Sequence, residues 1–86
     1  MTYYVYVLKS LKDQGFYIGS TGDLKSRLAR HNAGLSKSTK NRRPLKLVHL
    51  EKFSTRSEAL KREKFLKRQK GGDVFKRIIN YRGMEQ

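Results

Sequence analysis

Residues 3–9, Tyr3-Tyr4-Val5-Tyr6-Val7-Leu8-Lys9, are β-branched or aromatic almost throughout, with a charge only at the end. A short apolar run without polar alternation reads as a β-strand buried on both faces. In a chain of 86 residues such a strand has one modest core to join. The sequence contains no cysteine, so neither disulfides nor thiolate metal sites brace that core.

The rest of the chain supplies partners for this strand. Ser10 to Gly15 is polar and suits a hairpin turn. Phe16, Tyr17 and Ile18 make a short second strand, antiparallel to the first, stopped by Gly19 and Gly22. A helix opens at Asp23, capped by Thr21 or Asp23, with Leu24 and Leu28 one turn apart and Gly34 as its stop. Residues 35–44 lack apolar periodicity and read as a loop. A third strand follows from Leu45 to Phe53, with Leu47, Val48 and Leu50 as its apolar centre. Thr55-Arg56-Ser57-Glu58 fits a capping box and opens a helix running to about Lys70. Gly71 and Gly72 end it, and Asp73 caps a last helix over about residues 73–82, striped by Val74, Phe75, Ile78 and Ile79. The order ββαβαα predicts an α+β fold, a three-stranded antiparallel sheet flanked by helices, in one domain spanning 1–86.

Lys plus Arg number 21 against 7 Asp plus Glu, a formal net charge of +14. So much positive charge on a small surface attracts polyanions, and nucleic acid is the commonest for a soluble chain. No apolar run approaches a membrane span, no segment pairs a basic face with a bulky apolar one, and no secretory signal opens the chain. These features predict a cytoplasmic protein without membrane contact.

Three groups of residues stand out chemically. At about 100° per residue, Glu63 falls between Leu66 and Leu60, beside Ala59, rather than on the lysine-rich face of its helix. A carboxylate there requires a metal or, as the more ordinary reading, a basic partner. Arg27 and His31 lie one helical turn apart on one face. An arginine can clamp a phosphate through two hydrogen bonds, and a neighbouring histidine can pass a proton. Tyr6 and Tyr17 lie on the two hairpin strands, where pairing can bring their hydroxyls together; aromatic residues also simply fill cores. The loop residues Lys37, Lys40, Arg42 and Arg43 either track a phosphate backbone or are ordinary solvated charge.

Tyr4-Val5-Tyr6 followed by Tyr17-Ile18-Gly19 resembles the paired motif of the GIY-YIG nuclease superfamily. The resemblance continues through Thr21-Gly22-Asp23-Leu24, Arg27 with His31-Asn32, Ser57-Glu58-Ala59 and Arg62-Glu63, covering roughly residues 3–70. It is strongest to small stand-alone bacterial members similar to the nuclease domain of the UvrABC excision-repair C subunit, which acts in DNA repair. The first motif departs from the family pattern, with Tyr4 and Val5 in place of Gly and Ile.

The resemblance implies a phosphodiester-hydrolysing endonuclease acting on nucleic acid, with DNA the expected substrate. Tyr6 and Tyr17 then position or deprotonate the attacking water, and Arg27 stabilises the scissile phosphate. His31 has an auxiliary proton-transfer or phosphate role. Glu63 holds a single divalent ion, Mg²⁺ or Mn²⁺, and Gly19 is structural. A domain this small also suggests a protein partner that supplies target specificity. The alternative is a nucleic-acid-binding module on the same fold without nuclease activity.

Overall fold

The computed structural model of the chain describes residues 1–83, and the side chains of residues 1–79. Residues 84–86 of the expected domain lie outside the described residues. The elements are β1 (Tyr3–Ser10), β2 (Phe16–Thr21), α1 (Leu24–Asn32), η1 (Lys40–Arg42), β3 (Leu45–Phe53), α2 (Arg56–Gln69) and α3 (Asp73–Gly83). The fold is α+β in the expected order, with a one-turn 3-10 helix inside the segment read as a loop.

The apolar run becomes the central strand. The sheet order is β2-β1-β3, and both pairings of β1 are antiparallel. Val5, Tyr6, Val7 and Leu8 are all buried, because a middle strand covered on both faces has no solvent side to alternate towards. Val5 and Val7 join Ile18, Ala59 and Leu66 of α2, and Phe75 and Ile79 of α3, in the main core. Tyr6 points to the other face, where it meets His31 of α1.

Local chemistry sets the element ends. Asp23, rather than Thr21, is the α1 N-cap, accepting from the Ser26 amide at 3.1 Å. Gly34 adopts φ +78 after α1, a left-handed turn that closes the helix with Leu35 N donating to Arg30 O at 3.0 Å. Thr55 caps α2 by accepting from Glu58 N at 3.2 Å. The return bond of the expected box differs: the Thr55 hydroxyl donates to Glu58 Oε1, at 3.1 Å. At α3 the Gly72 carbonyl accepts from Lys76 N, and Asp73 lies in the first turn, where its charge favours the helix dipole.

Some residues expected in the core are elsewhere. A register shift between Val7 and Leu8 takes the β3 partners from His49 to Leu47, skipping Val48. Val48 packs on the core while Leu47 is 37% exposed, because a bulge breaks the in–out alternation assumed for a regular strand. In α1 the buried residue is His31, with Leu24 and Leu28 only half-buried. In α3 Val74 is exposed, so the stripe narrows to Phe75, Ile78 and Ile79.

A charged clamp ties β3 to α2. Arg62 donates through Nε to Glu51 Oε1 at 2.8 Å and through a terminal nitrogen to Oε2 at 3.0 Å, and His49 Nε2 also lies 2.6 Å from Oε2. Burial alone would raise the Glu51 pKa, but the hydrogen bonds from His49 and Arg62 outweigh it and bring it from 4.5 to about 2. A folded-state pKa below the unfolded value gives stability that is present above pH 4.5 and lost as pH falls towards 2. Arg62→Ala should therefore destabilise the chain at neutral pH by about 1–3 kcal/mol. It should also flatten the fall in stability across that acid range, both read by urea unfolding as a function of pH.

Candidate active site

The hairpin register creates the first half of the site. Tyr6 pairs directly with Gly19, so both face the α1 side, and Tyr17, two residues before Gly19, shares that face. The Tyr6 and Tyr17 ring centroids are 6.4 Å apart. A Cβ on Gly19 would come within 2.5 Å of the Tyr6 hydroxyl oxygen. Glycine at this position is therefore what lets the Tyr6 hydroxyl lie across the neighbouring strand.

α1 supplies the second half. His31 is buried, with its ring 5.8 Å from Tyr6 and 5.0 Å from Tyr17. Its Nε2 lies 3.1 Å from the Tyr6 hydroxyl and its Nδ1 lies 2.7 Å from Thr39 Oγ1. Thr39 is fully buried, and His31 is the only partner of its hydroxyl among the described residues. That hydroxyl proton is satisfied by donating to Nδ1, which puts the ring proton on Nε2 and makes His31 a donor to Tyr6. Burial, followed by repulsion from Arg27 and Arg30, lowers the His31 pKa from 6.5, which favours the neutral ring.

Thr39 is held in turn by the loop around it. Ser10, also fully buried, donates its hydroxyl to Arg42 O at 2.6 Å and accepts from the Lys12 and Asp13 amides. The β1–β2 turn and η1 are thereby fastened together, and η1 begins just after Thr39.

Arg27 stands one turn before His31 and joins two adjoining hollows. One, about 380 Å³, is lined by Tyr17, Arg27, Arg30, His31 and Ser36. The other, about 80 Å³, is lined by Tyr3, Ser20, Thr21, Gly22, Arg27, Arg56 and Ala59. A further hollow of about 460 Å³, lined by residues such as Lys52 and Phe53, contains none of the five candidate residues.

Glu63 reaches the edge strand from α2. Ser20, on the face of β2 opposite Gly19, donates its hydroxyl to Glu63 Oε1 at 2.5 Å, and Lys67 Nζ lies 2.8 Å from Oε2. Burial pushes the Glu63 pKa up, but Lys67, Ser20 and the Arg27 charge bring the net value below 4.5. Tyr6 goes the other way: burial raises it, the Arg27 guanidinium offsets part of that, and the neighbouring Tyr17 and Glu63 add to the rise. Tyr6, Tyr17, Arg27, His31 and Glu63 thus form one electrostatic neighbourhood at the β2 edge.

The loop cations are differently placed. Lys37 and Lys40 are exposed, but Arg42 pairs with Asp13 at 2.9 Å and Arg43 donates to Lys40 O at 3.0 Å. Sequence reasoning missed Thr39 and Ser20 as supporting residues. Nothing distinguishes Thr39 from its polar neighbours in the sequence, whereas Ser20 directly follows the Tyr17-Ile18-Gly19 motif.

Among the described residues no group of three or more His, Cys, Asp or Glu side chains could hold a metal ion. The donor set instead fits an ion bound through a single carboxylate and completed by water and phosphate oxygens, an ordinary arrangement for Mg²⁺. Lys67, drawn to Glu63 Oε2, shows that a cation is already favoured at this position.

A two-tyrosine hairpin backed by a helix with Arg27 and His31, and faced by Glu63, defines a domain class. The chain belongs to the GIY-YIG catalytic-domain family, whose model matches residues 2–77. Members of that family are usually nucleases that act on nucleic acid with a divalent metal. The chain is 51% identical over 67 residues to a UPF0213 protein of Listeria welshimeri, covering 77% of this chain and 73% of that one. It is 44% identical over 68 residues to a UPF0213 protein of Streptococcus pneumoniae, covering 78% and 68%. The solution NMR structure of a UPF0213 protein of Bacillus halodurans matches with a TM-score of 0.50 at 36% identity, over 79% of this chain and 72% of that one. Among the described residues no helix is long and apolar enough to cross a membrane.

Proposed function

We propose that this chain is a metal-dependent endonuclease hydrolysing phosphodiester bonds, with DNA as its substrate. The observation that carries the reading is the convergence of Tyr17, Arg27 and His31 on one cleft, with Arg27 also facing the Ser20–Glu63 side. Arg27 is placed to bind the scissile phosphate from either hollow and to stabilise the charge that grows on it. Glu63 would hold a single Mg²⁺ or Mn²⁺ ion, which supplies charge stabilisation at the phosphate and leaving oxygens. The cysteine-free sequence suits work in the reducing cytoplasm. A separate protein partner would choose the target.

The two tyrosines divide the work. The Tyr6 hydroxyl is buried and its pKa is raised, so it stays a neutral phenol whose oxygen accepts from His31. Tyr17 is half-buried and lines the cleft, so it orients the attacking water and takes its proton. His31 acts through Tyr6, as a donor that fixes the phenol.

Thr39→Val tests this division. The substitution leaves His31 Nδ1 buried without its partner and frees the ring to change tautomer. Cleavage should slow by up to about 10²-fold through lost positioning, with substrate affinity nearly unchanged. The ring-nitrogen NMR shifts of His31 should move from the Nε2–H pattern towards Nδ1–H. A wild-type rate with an unchanged ring signature would remove Thr39 from the site.

A further inference from the structure

α2 carries charge that neither the core nor the cleft uses. Lys61, Lys64 and Arg68 are all exposed. The ion pairs among the described residues join Arg42 to Asp13, His49 and Arg62 to Glu51, and Lys67 to Glu63, and none reaches these three side chains. Lys61 and Lys64 are three residues apart and Lys64 and Arg68 four, so each pair places like charges side by side along the helix. The helix gives up stability to this repulsion, and a bound polyanion would relieve it.

The charges are continuous with the active site. At about 100° per residue, with Lys61 as zero, Arg68 falls at about −20°, Lys64 at about −60°, Lys67 at about −120° and Glu63 at about −160°. Passing round the helix from Glu63, one meets Lys67 and then the three unpaired cations. Lys61 and Arg68 lie seven residues apart, about 10 Å along the axis, a distance that spans several phosphates of one strand. The apolar side of α2, Ala59 and Leu66, is already buried in the core, so the helix keeps no bulky apolar face for a lipid surface.

We propose that Lys61, Lys64 and Arg68 on the outer face of α2 form a second contact surface for the nucleic-acid backbone, reached from the cleft past Lys67. This rests on the nuclease reading for the identity of the partner. The strand flanking the scissile phosphate runs across α2, and these contacts add affinity without touching the reacting atoms.

The test is duplex DNA binding by the full chain, without divalent metal, across a series of salt concentrations. Wild type is compared with the triple variant Lys61→Gln, Lys64→Gln, Arg68→Gln. Three lost phosphate contacts should lower the slope of log affinity against log salt by about 2–3. Affinity near 0.1 M salt should fall at least about tenfold. The rate at saturating substrate should stay at the wild-type value. The variant should melt no lower than wild type at low salt, since it loses only like-charge repulsion. Wild-type DNA binding with the same slope in the variant would overturn this proposal alone. A wild-type protein that binds no nucleic acid would overturn it together with the nuclease reading. Loss of binding to anionic lipid vesicles without loss of duplex binding would assign the face to a membrane and overturn it too.

Discussion

Glu63→Ala is expected to abolish metal-dependent cleavage while leaving nucleic-acid binding in place. Glu63 is the acidic residue nearest the cleft, held at its two oxygens by Ser20 and Lys67. Removing it takes away the protein's one carboxylate donor for the ion, and no cluster of other ligands among the described residues can replace it. The same substitution releases Lys67 from its partner and makes the surface one charge more positive. Metal-free affinity for DNA should accordingly hold or rise slightly. The variant should also give up Mn²⁺ binding, measured by the electron paramagnetic resonance signal of the free ion. Cleavage at the wild-type rate by purified variant would sink the assignment of Glu63 as a metal ligand.

Arg27→Ala is expected to slow cleavage by about 10²–10³-fold, the usual cost of removing one donor aimed at developing charge. Arg27 is the side chain that lines both hollows, and it influences Tyr6, His31 and Glu63 at once. Its loss should therefore appear mainly in kcat. A secondary effect follows from His31. Without the Arg27 charge, one of the influences lowering the His31 pKa is gone, so its pKa should move up towards 6.5. His31 stabilises the fold above its unfolded pKa, and that contribution fades as pH falls below it. Arg27→Ala should narrow this loss on acidification, as read by histidine proton shifts in an NMR titration. Wild-type kcat in this variant would remove Arg27 from the site.

The architecture was legible in the sequence because strong local signals agreed with one another. The run Tyr3–Lys9 could only be a covered strand, and Asp23, Gly34, Thr55 and Gly71 marked helix ends through backbone chemistry that does not depend on tertiary context. The position of Glu63 could be read from helical geometry, and the roles of Tyr6, Tyr17, Arg27 and His31 from the resemblance to GIY-YIG nucleases. Features set by long-range register were not legible. The skipped Val48 turns Leu47 outward, and the periodicity of β3 alone gives no warning of it. The same is true of Thr39, a polar loop residue that becomes fully buried only because Ser10 holds η1 against the β1–β2 turn. Arg42, read as a free loop cation, meets Asp13 across 29 residues of sequence.

The central claim is that the convergence of Tyr17, Arg27, His31 and Glu63 performs phosphodiester hydrolysis. Its most direct test is a cleavage assay of the full chain on branched, flap, single-stranded and duplex DNA, with Mg²⁺, with Mn²⁺ and with chelator, beside Glu63→Ala. The expected result is cleavage of at least one substrate that requires the metal and disappears in the variant. Binding to these substrates without cleavage of any of them, in either metal, would contradict the claim and leave a nucleic-acid-binding module on a nuclease fold.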